Sequence, residues 1–368
     1  MNENPPQPDA NQRMKSYLGK IATGPRMSKD LTRAEAEDAL AMVLNGEVSS
    51  ERAAVFLIAA RMKLETVEEN TGYWQALDKT TVKQEVKLEK LVQVAEAFDG
   101  FERTPVFTFY TIPLLAEMGL PAYGHSALPL PPKFGITFED LLINHYGVST
   151  NQTFEQRKTL IEQFGFGYLG IEQSHPKLDA LKSLRKEIVK RPMLATMEKM
   201  LMPLIAKTNF LATNYFHPGY EEAMLAVAGL GRWEITVVGN GMEGSILYGV
   251  HKTAKLYIHL KKAGVQEKQL DCGRELDASA AQRIQEAFEA LKKTTASRDT
   301  MAELGEQALK GKGGPAAPLI AWQAATLGYL FGRFPDVQTG FEAAHTHLSS
   351  GTCYQKFMEY LKECKRQE

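Results

Sequence analysis

Residues 98–104 read FDGFERT, between the mixed run LVQVAEAF and the helix-like run TIPLLAEMGL. A strand, a tight turn at a glycine and a helix is the layout of a phosphate-binding loop, which brings backbone N–H groups close to phosphate oxygens. The turn keeps one glycine, Gly100, beside Asp99, Glu102, Arg103 and Thr104. Whether it still holds a phosphate is the first question the chain raises.

Arg185 raises a second. Leu178, Leu181, Arg185 and Ile188 share one stripe at helical spacing, so an arginine stands where a leucine would serve packing. Its stem can cover apolar surface with the head in water, or its guanidinium can project into a cleft and hold a carboxylate or phosphate bidentately. Around it, residues 177–207 carry eight Lys or Arg against three acids, with Lys182, Lys186 and Lys190 on the outer face and Arg191 next to them. That stripe reads either as a solvated helix face or as a basic patch for a polyanion.

His125, in YGHS, follows a strand-like run, and the stiff ALPLPPKFG after it carries Lys133. Side chains at the carboxyl end of a parallel strand face the usual ligand crevice, so His125, Ser126 and Lys133 are candidate contacts. A second turn, GNGMEG at 239–244, also follows a strand; its amides suit an anion, and Glu243 is the one residue there that could help hold a metal. His345 and His347 lack nearby Cys or carboxylate partners and read as structural.

The elements that must position these groups fall into two textures. Thr32 with Glu35 and Thr66 with Glu69 match the capping-box pattern, and Ser49 or Ser50 can cap the helix between them. AAVFLIAA at 53–60 is apolar nearly all round, which implies burial on two sides, by the rest of the chain or by a second subunit. After about residue 85, β-rich runs alternate with helices, the pattern of a largely parallel sheet covered by helices. The fold class expected is therefore α/β: a small all-helical N-terminal domain plus a large α/β domain with a mainly parallel central sheet. Residues 1–12 read as a mobile arm, 13–85 with a returning helical segment at about 177–207 as the helical domain, and 86–176 with 208–368 as the α/β domain.

With 43 Lys plus Arg against 44 Asp plus Glu, the net charge of −1 argues against a surface built throughout for nucleic acid or an anionic membrane. Three widely spaced cysteines, Cys272, Cys353 and Cys364, indicate neither a disulfide framework nor a metal knuckle, and fit a reducing cytoplasm. The longest apolar stretch, 316–332, is too short to span a bilayer and carries Gln323, so it reads as a buried helix.

The run LTRAEAEDALAMVLNGEVSSERAAVFLIAARMKLETVEE resembles the helical domain of anthranilate phosphoribosyltransferase and its relatives, the pyrimidine nucleoside phosphorylases of glycosyltransferase family 3. The similarity continues through GLPAYGHS, FGFGYLGIEQSHPKLDALKSLRKE and ALKGKGGPAAPLIAWQAATLGYL, so it covers almost the whole chain. The resemblance implies a homodimer formed through the helical parts.

It also implies that the family's glycine-rich GTGGD loop falls at Phe98–Thr104, where Phe101 adds bulk, Glu102 adds repulsion and Arg103 stands in for amide donors. The family's following Asn-x-Ser-Thr is matched in part by Thr108 alone. Its KHGN becomes Gly124, His125, Ser126 and Ala127; Lys133 with Gly135 matches its Lys-x-Gly; and Arg185 falls on the arginine that contacts anthranilate. Where it has an Asp-Glu pair for magnesium, this chain has MEGSI. These departures resemble a branch of transferase-like paralogues associated with nucleic-acid binding. Two functions follow as expectations. One is an anion-binding or single-stranded nucleic-acid-binding protein; the other is an active phosphoribosyl transferase on another substrate, which alone would require Mg2+.

Overall fold

The computed structural model describes residues 9–24 and 26–367. Helix α1 (Ala10–Ile21) is capped by Asp9, whose side chain accepts from Gln12 N at 2.8 Å. The arm expected over residues 1–12 therefore gives way to helix at Ala10, and residues 1–8 lie outside the described residues. Helices α2 (Arg33–Leu44), α3 (Ser50–Lys63) and α4 (Val67–Thr80) follow. Thr32 and Thr66 form capping boxes with Glu35 and Glu69, and Ser49 caps α3, as the spacing of these residues indicates.

Glu69 does more than cap. Its carboxylate is wholly buried and accepts from Leu31 N at 2.9 Å, Thr66 N at 2.8 Å and Lys63 Nζ at 2.7 Å. One side chain thus ties the α1–α2 connection, the end of α3 and the start of α4.

The chain enters the sheet through β1 (Gln84–Glu85), which pairs in parallel with β5 (Leu204–Ile205) where the chain returns from the helical segment. The main sheet contains β2 (Lys90–Ala95), β3 (Ala122–Ser126), β4 (Phe166–Gly170), β6 (Thr208–Asn214), β7 (Ile235–Gly239), β8 (Ala254–Leu260) and β9 (Gly264–Leu270). Its order is β4-β3-β2-β6-β7-β8-β9, parallel from β4 to β7 and closed by the antiparallel β8–β9 hairpin. The parallel strands are almost wholly buried, as strands covered by helices on both faces must be.

Helix α5 (Thr108–Glu117) and the helix Ala316–Leu330 bury the face opposite the helical domain. The second of these is the apolar stretch containing Gln323, and it is buried nearly all round. Among the described residues no helix is long and apolar enough to cross a membrane.

The expected helix over 177–207 is instead a chain of short turns. Pro176–Asp179, Lys182–Ile188 and Leu194–Met197 are helical, Glu198–Met200 is 3-10, and the segment ends in β5. Val189 adopts a left-handed backbone (φ 66°), and the Arg191-Pro192 step prevents the helix from resuming. The segment docks on the N-terminal helices through Trp74 Nε1, which donates to Met200 O at 2.6 Å, and through His175 Nε2, 3.0 Å from Leu77 O.

Glu69→Ala leaves Lys63 buried without its inner partner and several donors unmatched. Urea unfolding should register a loss of about 3–5 kcal/mol, the range for a broken buried pair; a loss below about 1 kcal/mol would show that the helices do not depend on this carboxylate.

Candidate anion-binding cleft

Strand β2 is the switch point of the sheet: the chain runs outward from it to β3 and β4, then crosses back to β6 on its other side. Loops leaving the carboxyl ends of such neighbouring strands diverge and leave a crevice. Here the loop after β2 contains FDGFERT, the loop after β6 is YFHPG and the loop after β7 begins NGMEGS. The returning segment at Arg185–Lys199 roofs the crevice from the helical side.

FDGFERT keeps the turn, and the amides of Gly100 and Phe101 within it are taken up by the chain's own carbonyls. Ala97 N donates to Gly244 O at 3.1 Å, Gly100 N to Ala97 O at 3.0 Å and Phe101 N to Ile136 O at 3.1 Å. Ile136 N returns a bond to Phe101 O at 2.8 Å, and Gly135 N donates to Asp99 O at 2.9 Å. The turn is laced to residues 135–136 as an antiparallel bridge. Gly100 is required by that contact, because its φ is +74° and a Cβ there would lie 2.3 Å from Gly135 O.

Just before the turn, buried Glu96 accepts from Thr108 Oγ1 at 2.8 Å, Ser245 Oγ at 2.8 Å and Ile246 N at 2.9 Å. Burial raises its pKa to about 7 against the pull of these donors. Glu96 therefore clamps the loop after β7 to the end of β2.

The cleft itself is small, with a free volume of about 90 Å³. At roughly 10–15 Å³ per water, this holds a small cluster of waters or a phosphate-sized anion. Five cationic side chains line it: Arg61, Lys133, Arg185, Arg191 and Lys199. Three are matched to carboxylates: Arg185 to Glu198, Arg191 to Asp99, and Lys133 to Glu243 at 2.9 Å.

Lys199 meets only neutral oxygens directly, Asn214 O at 2.6 Å and Asn214 Oδ1 at 3.3 Å, and burial lowers its pKa to about 8. Arg61 lies 5.0 Å over the Tyr220 ring and 3.7 Å from Glu65, a carboxylate that burial raises to about 7. Excess positive charge thus sits at Lys199 and Arg61. At the lip, Phe216 is 47% exposed and stands edge-on to His217.

Several residues expected at the site are placed elsewhere or already engaged. Thr108 is wholly buried, donating to Glu96 and accepting from Gln323 Nε2 at 2.9 Å, so it is a structural member of a polar network. His125 lies within β3 rather than after it, and is fully buried. Ser174 Oγ gives its proton to Gly170 O at 2.8 Å, so it accepts from His125 Nε2 at 3.0 Å. Burial lowers the His125 pKa to about 3 and keeps the ring neutral. Ser126 Oγ accepts from Glu139 N at 3.1 Å and supports the next helical turn.

Arg185 does line the cleft, and it is not a stem lying on apolar surface with its head in water. Its guanidinium is buried and grips Glu198 bidentately, at 2.6 and 3.1 Å. The basic patch is also divided. Lys182 pairs with Asp179 at 2.7 Å and Arg191 turns inward to Asp99, leaving Lys186 and Lys190 on the exposed face. Asp99 is consumed by Arg191, and Arg103 and Thr104 line a separate cavity beyond Lys133 and Glu243.

Glu243 carries Lys133, whose hydrogen bond holds its carboxyl below the usual range. Among the described residues no three His, Cys, Asp or Glu side chains converge to hold a metal, and Glu243, the one acidic side chain of the loop after β7, is already paired with Lys133. Sequence reasoning missed Glu198, Lys199, Asn214, Arg61 and the aromatic lip. A carboxylate in LATMEKML, thirteen residues after Arg185, is the one signal that could have suggested its partner.

A small helical domain seated on a mainly parallel α/β domain, with the cleft between them at the strand carboxyl ends, defines a phosphoribosyltransferase-like architecture. Residues 15–81 match the family described as "Glycosyl transferase family, helical bundle domain". Anthranilate phosphoribosyltransferase of Symbiobacterium thermophilum is 22% identical over 95% of this chain and 97% of its own length. An uncharacterized protein of Aquifex aeolicus is 28% identical over 59% of this chain and 65% of its own length.

Among solved structures, anthranilate phosphoribosyltransferase from Thermus thermophilus superposes with a TM-score of 0.71 at 22% identity, covering 96% of this chain and 99% of that one. The Saccharomyces cerevisiae enzyme in complex with PRPP and Mg gives 0.76 at 16% identity, covering 96% and 98%. The helical bundle at residues 15–81 thus matches a glycosyl transferase family domain, and the fold over almost the whole chain is that of anthranilate phosphoribosyltransferase.

The buried Arg185–Glu198 pair predicts a non-additive pair of variants. Glu198→Ala should cost about 3–5 kcal/mol in urea unfolding by stranding a buried guanidinium, whereas Arg185→Met with Glu198→Met should cost less than half as much. Equal losses would show that the two side chains act separately.

Proposed function

We propose that this protein binds phosphate-bearing aromatic ligands, single-stranded nucleic acid in particular, in the interdomain cleft, and does not carry out magnesium-dependent phosphoribosyl transfer. One observation carries the reading: the Gly100 and Phe101 amides at the centre of the turn after β2 are bound to the chain's own carbonyls, and the acidic residue of the loop after β7 is neutralised by Lys133. A diphosphate therefore finds the central glycine amide of its cradle taken and its metal carboxylate paired, while cationic side chains still face the cleft.

The lip supports an aromatic ligand. Phe216, His217, Tyr215 and Tyr220 line the cleft together with Arg61 and Arg191. A nucleotide strand uses both features, stacking its bases on rings while its phosphates meet Arg and Lys. The overall charge of −1 does not oppose this, because the local excess at Lys199 and Arg61 is what a phosphate meets.

We further infer that two copies associate through α3. Its inner face, Phe56, Leu57 and Ala60, is buried within the chain, while Val55 (48%) and Met62 (76%) are exposed, seven residues apart on one stripe with Ile58 and Ala59. An apolar stripe of this kind suits a second copy of the same helix. Val55→Glu with Met62→Glu should shift the protein from dimer to monomer in light scattering; an unchanged mass would remove this surface from consideration.

Anisotropy titration with labelled oligothymidylate should show binding that weakens steeply as salt rises from about 50 to about 200 mM, and calorimetry with phosphoribosyl pyrophosphate plus magnesium should show no turnover. Binding should also weaken as pH rises through about 8, where Lys199 loses its proton, and Lys199→Met should remove that step. Metal-dependent release of pyrophosphate would overturn the proposal.

A further inference from the structure

We propose that the cavity on the far side of the Lys133–Glu243 ion pair is a second phosphate site, so that one nucleic-acid strand runs from the interdomain cleft across this pair into it. The inference rests on the nucleotide reading of the cleft and adds where the strand goes. The cavity has a volume of about 320 Å³ and is lined by Phe101, Arg103, Lys133, Glu243, Phe288 and Lys292, with His251 beside them. Lys133 and Glu243 line both spaces, so the ion pair is the partition between them.

Arg103 is exposed, lines this cavity and not the cleft, makes no hydrogen bond or ion pair with any described residue, and acts through its charge alone on Glu243, the carboxylate that Lys133 holds. Lys292 lies 4.9 Å over the Phe288 ring and pairs with Glu289 one turn earlier, both largely in solvent. An exposed pair of this type holds its lysine weakly, so a phosphate can recruit it. His251 stacks on the same ring, 5.8 Å from Phe288 at 28°. The opposing carboxylates are exposed Glu102 and Glu243, and the second is already matched by Lys133.

The partition is built to give way. Lys133 is 20% and Glu243 48% exposed, and their contact is a single 2.9 Å ion pair. A phosphate at the boundary would exchange with Glu243 for the Lys133 ammonium, joining the two cavities along one backbone. Phe101 packs against the same boundary, since a Cβ on Gly244 would meet its ring at 3.3 Å. The FDGFERT turn thus presents Arg103 on one side and Asp99, held by Arg191, on the other.

The test compares wild type with Arg103→Ala/Lys292→Ala, two exposed positions, on oligothymidylate of about a dozen nucleotides and on thymidine 5′-monophosphate. For the oligonucleotide, the slope of log affinity against log salt should fall by about 1.4, two contacts at about 0.7 each. The mononucleotide, whose single phosphate takes the cleft while its base lies on the aromatic lip, should bind the variant as it binds wild type. A Lys362→Ala/Lys365→Ala control removes the same charge from the C-terminal helix and should leave both ligands unaffected.

An unchanged oligonucleotide slope, an equal loss for both ligands, or the same loss in the control overturns the second site while the cleft reading stands. If wild type binds neither ligand, the cleft reading falls and the second site with it.

Discussion

The backbone lacing of the turn at residues 97–101 is the constraint on which the rest of the site depends. In a glycine-rich phosphate loop the amides stay available because no neighbouring strand claims them. In this chain the carbonyls of Ile136 and Gly244 accept from that turn, and Gly135 approaches so closely that only glycine fits at position 100. With those donors matched, the cationic side chains carry most of the positive charge that an anion in the crevice meets. The positions of Arg61, Arg191, Lys199 and Lys133 then determine what can bind.

Those side chains are held by carboxylates placed one by one. Arg185 has Glu198, Arg191 has Asp99 and Lys133 has Glu243. A buried pair such as Arg185–Glu198 contributes little net stability over an apolar pair, yet it fixes geometry, because losing either partner strands a charge. By contrast, Lys133–Glu243 is half in water and easily exchanged. The cleft thus combines a rigid ionic roof with a removable ionic partition. Glu96 supports both by tying the loop after β7 to the end of β2 through Thr108, Ser245 and Ile246.

The helical domain reaches the site through packing. Its core includes Leu178, Met193, Leu194 and Met197 of the returning segment and runs on into Phe98, Leu211 and Val238 of the sheet domain. With methionines and leucines shared across the boundary, the roof of the cleft and its floor belong to one apolar cluster. Arg61, at the end of α3, is brought to the cleft by this packing and by its contact with Tyr220.

The sequence by itself determined the capping boxes at Thr32 and Thr66, the buried helix 316–330 and the alternation that builds a mainly parallel sheet, because each is a local pattern of side-chain spacing. It also located the turn at Gly100 and showed that this turn keeps a single glycine. Only the tertiary structure decided who meets whom. Glu198 answers Arg185, Asp99 answers Arg191, His125 is sealed inside a strand, and Arg103 lines a second cavity and not the cleft. The physical reason is that ion pairing and burial depend on distances across separate elements, which spacing along one element does not encode.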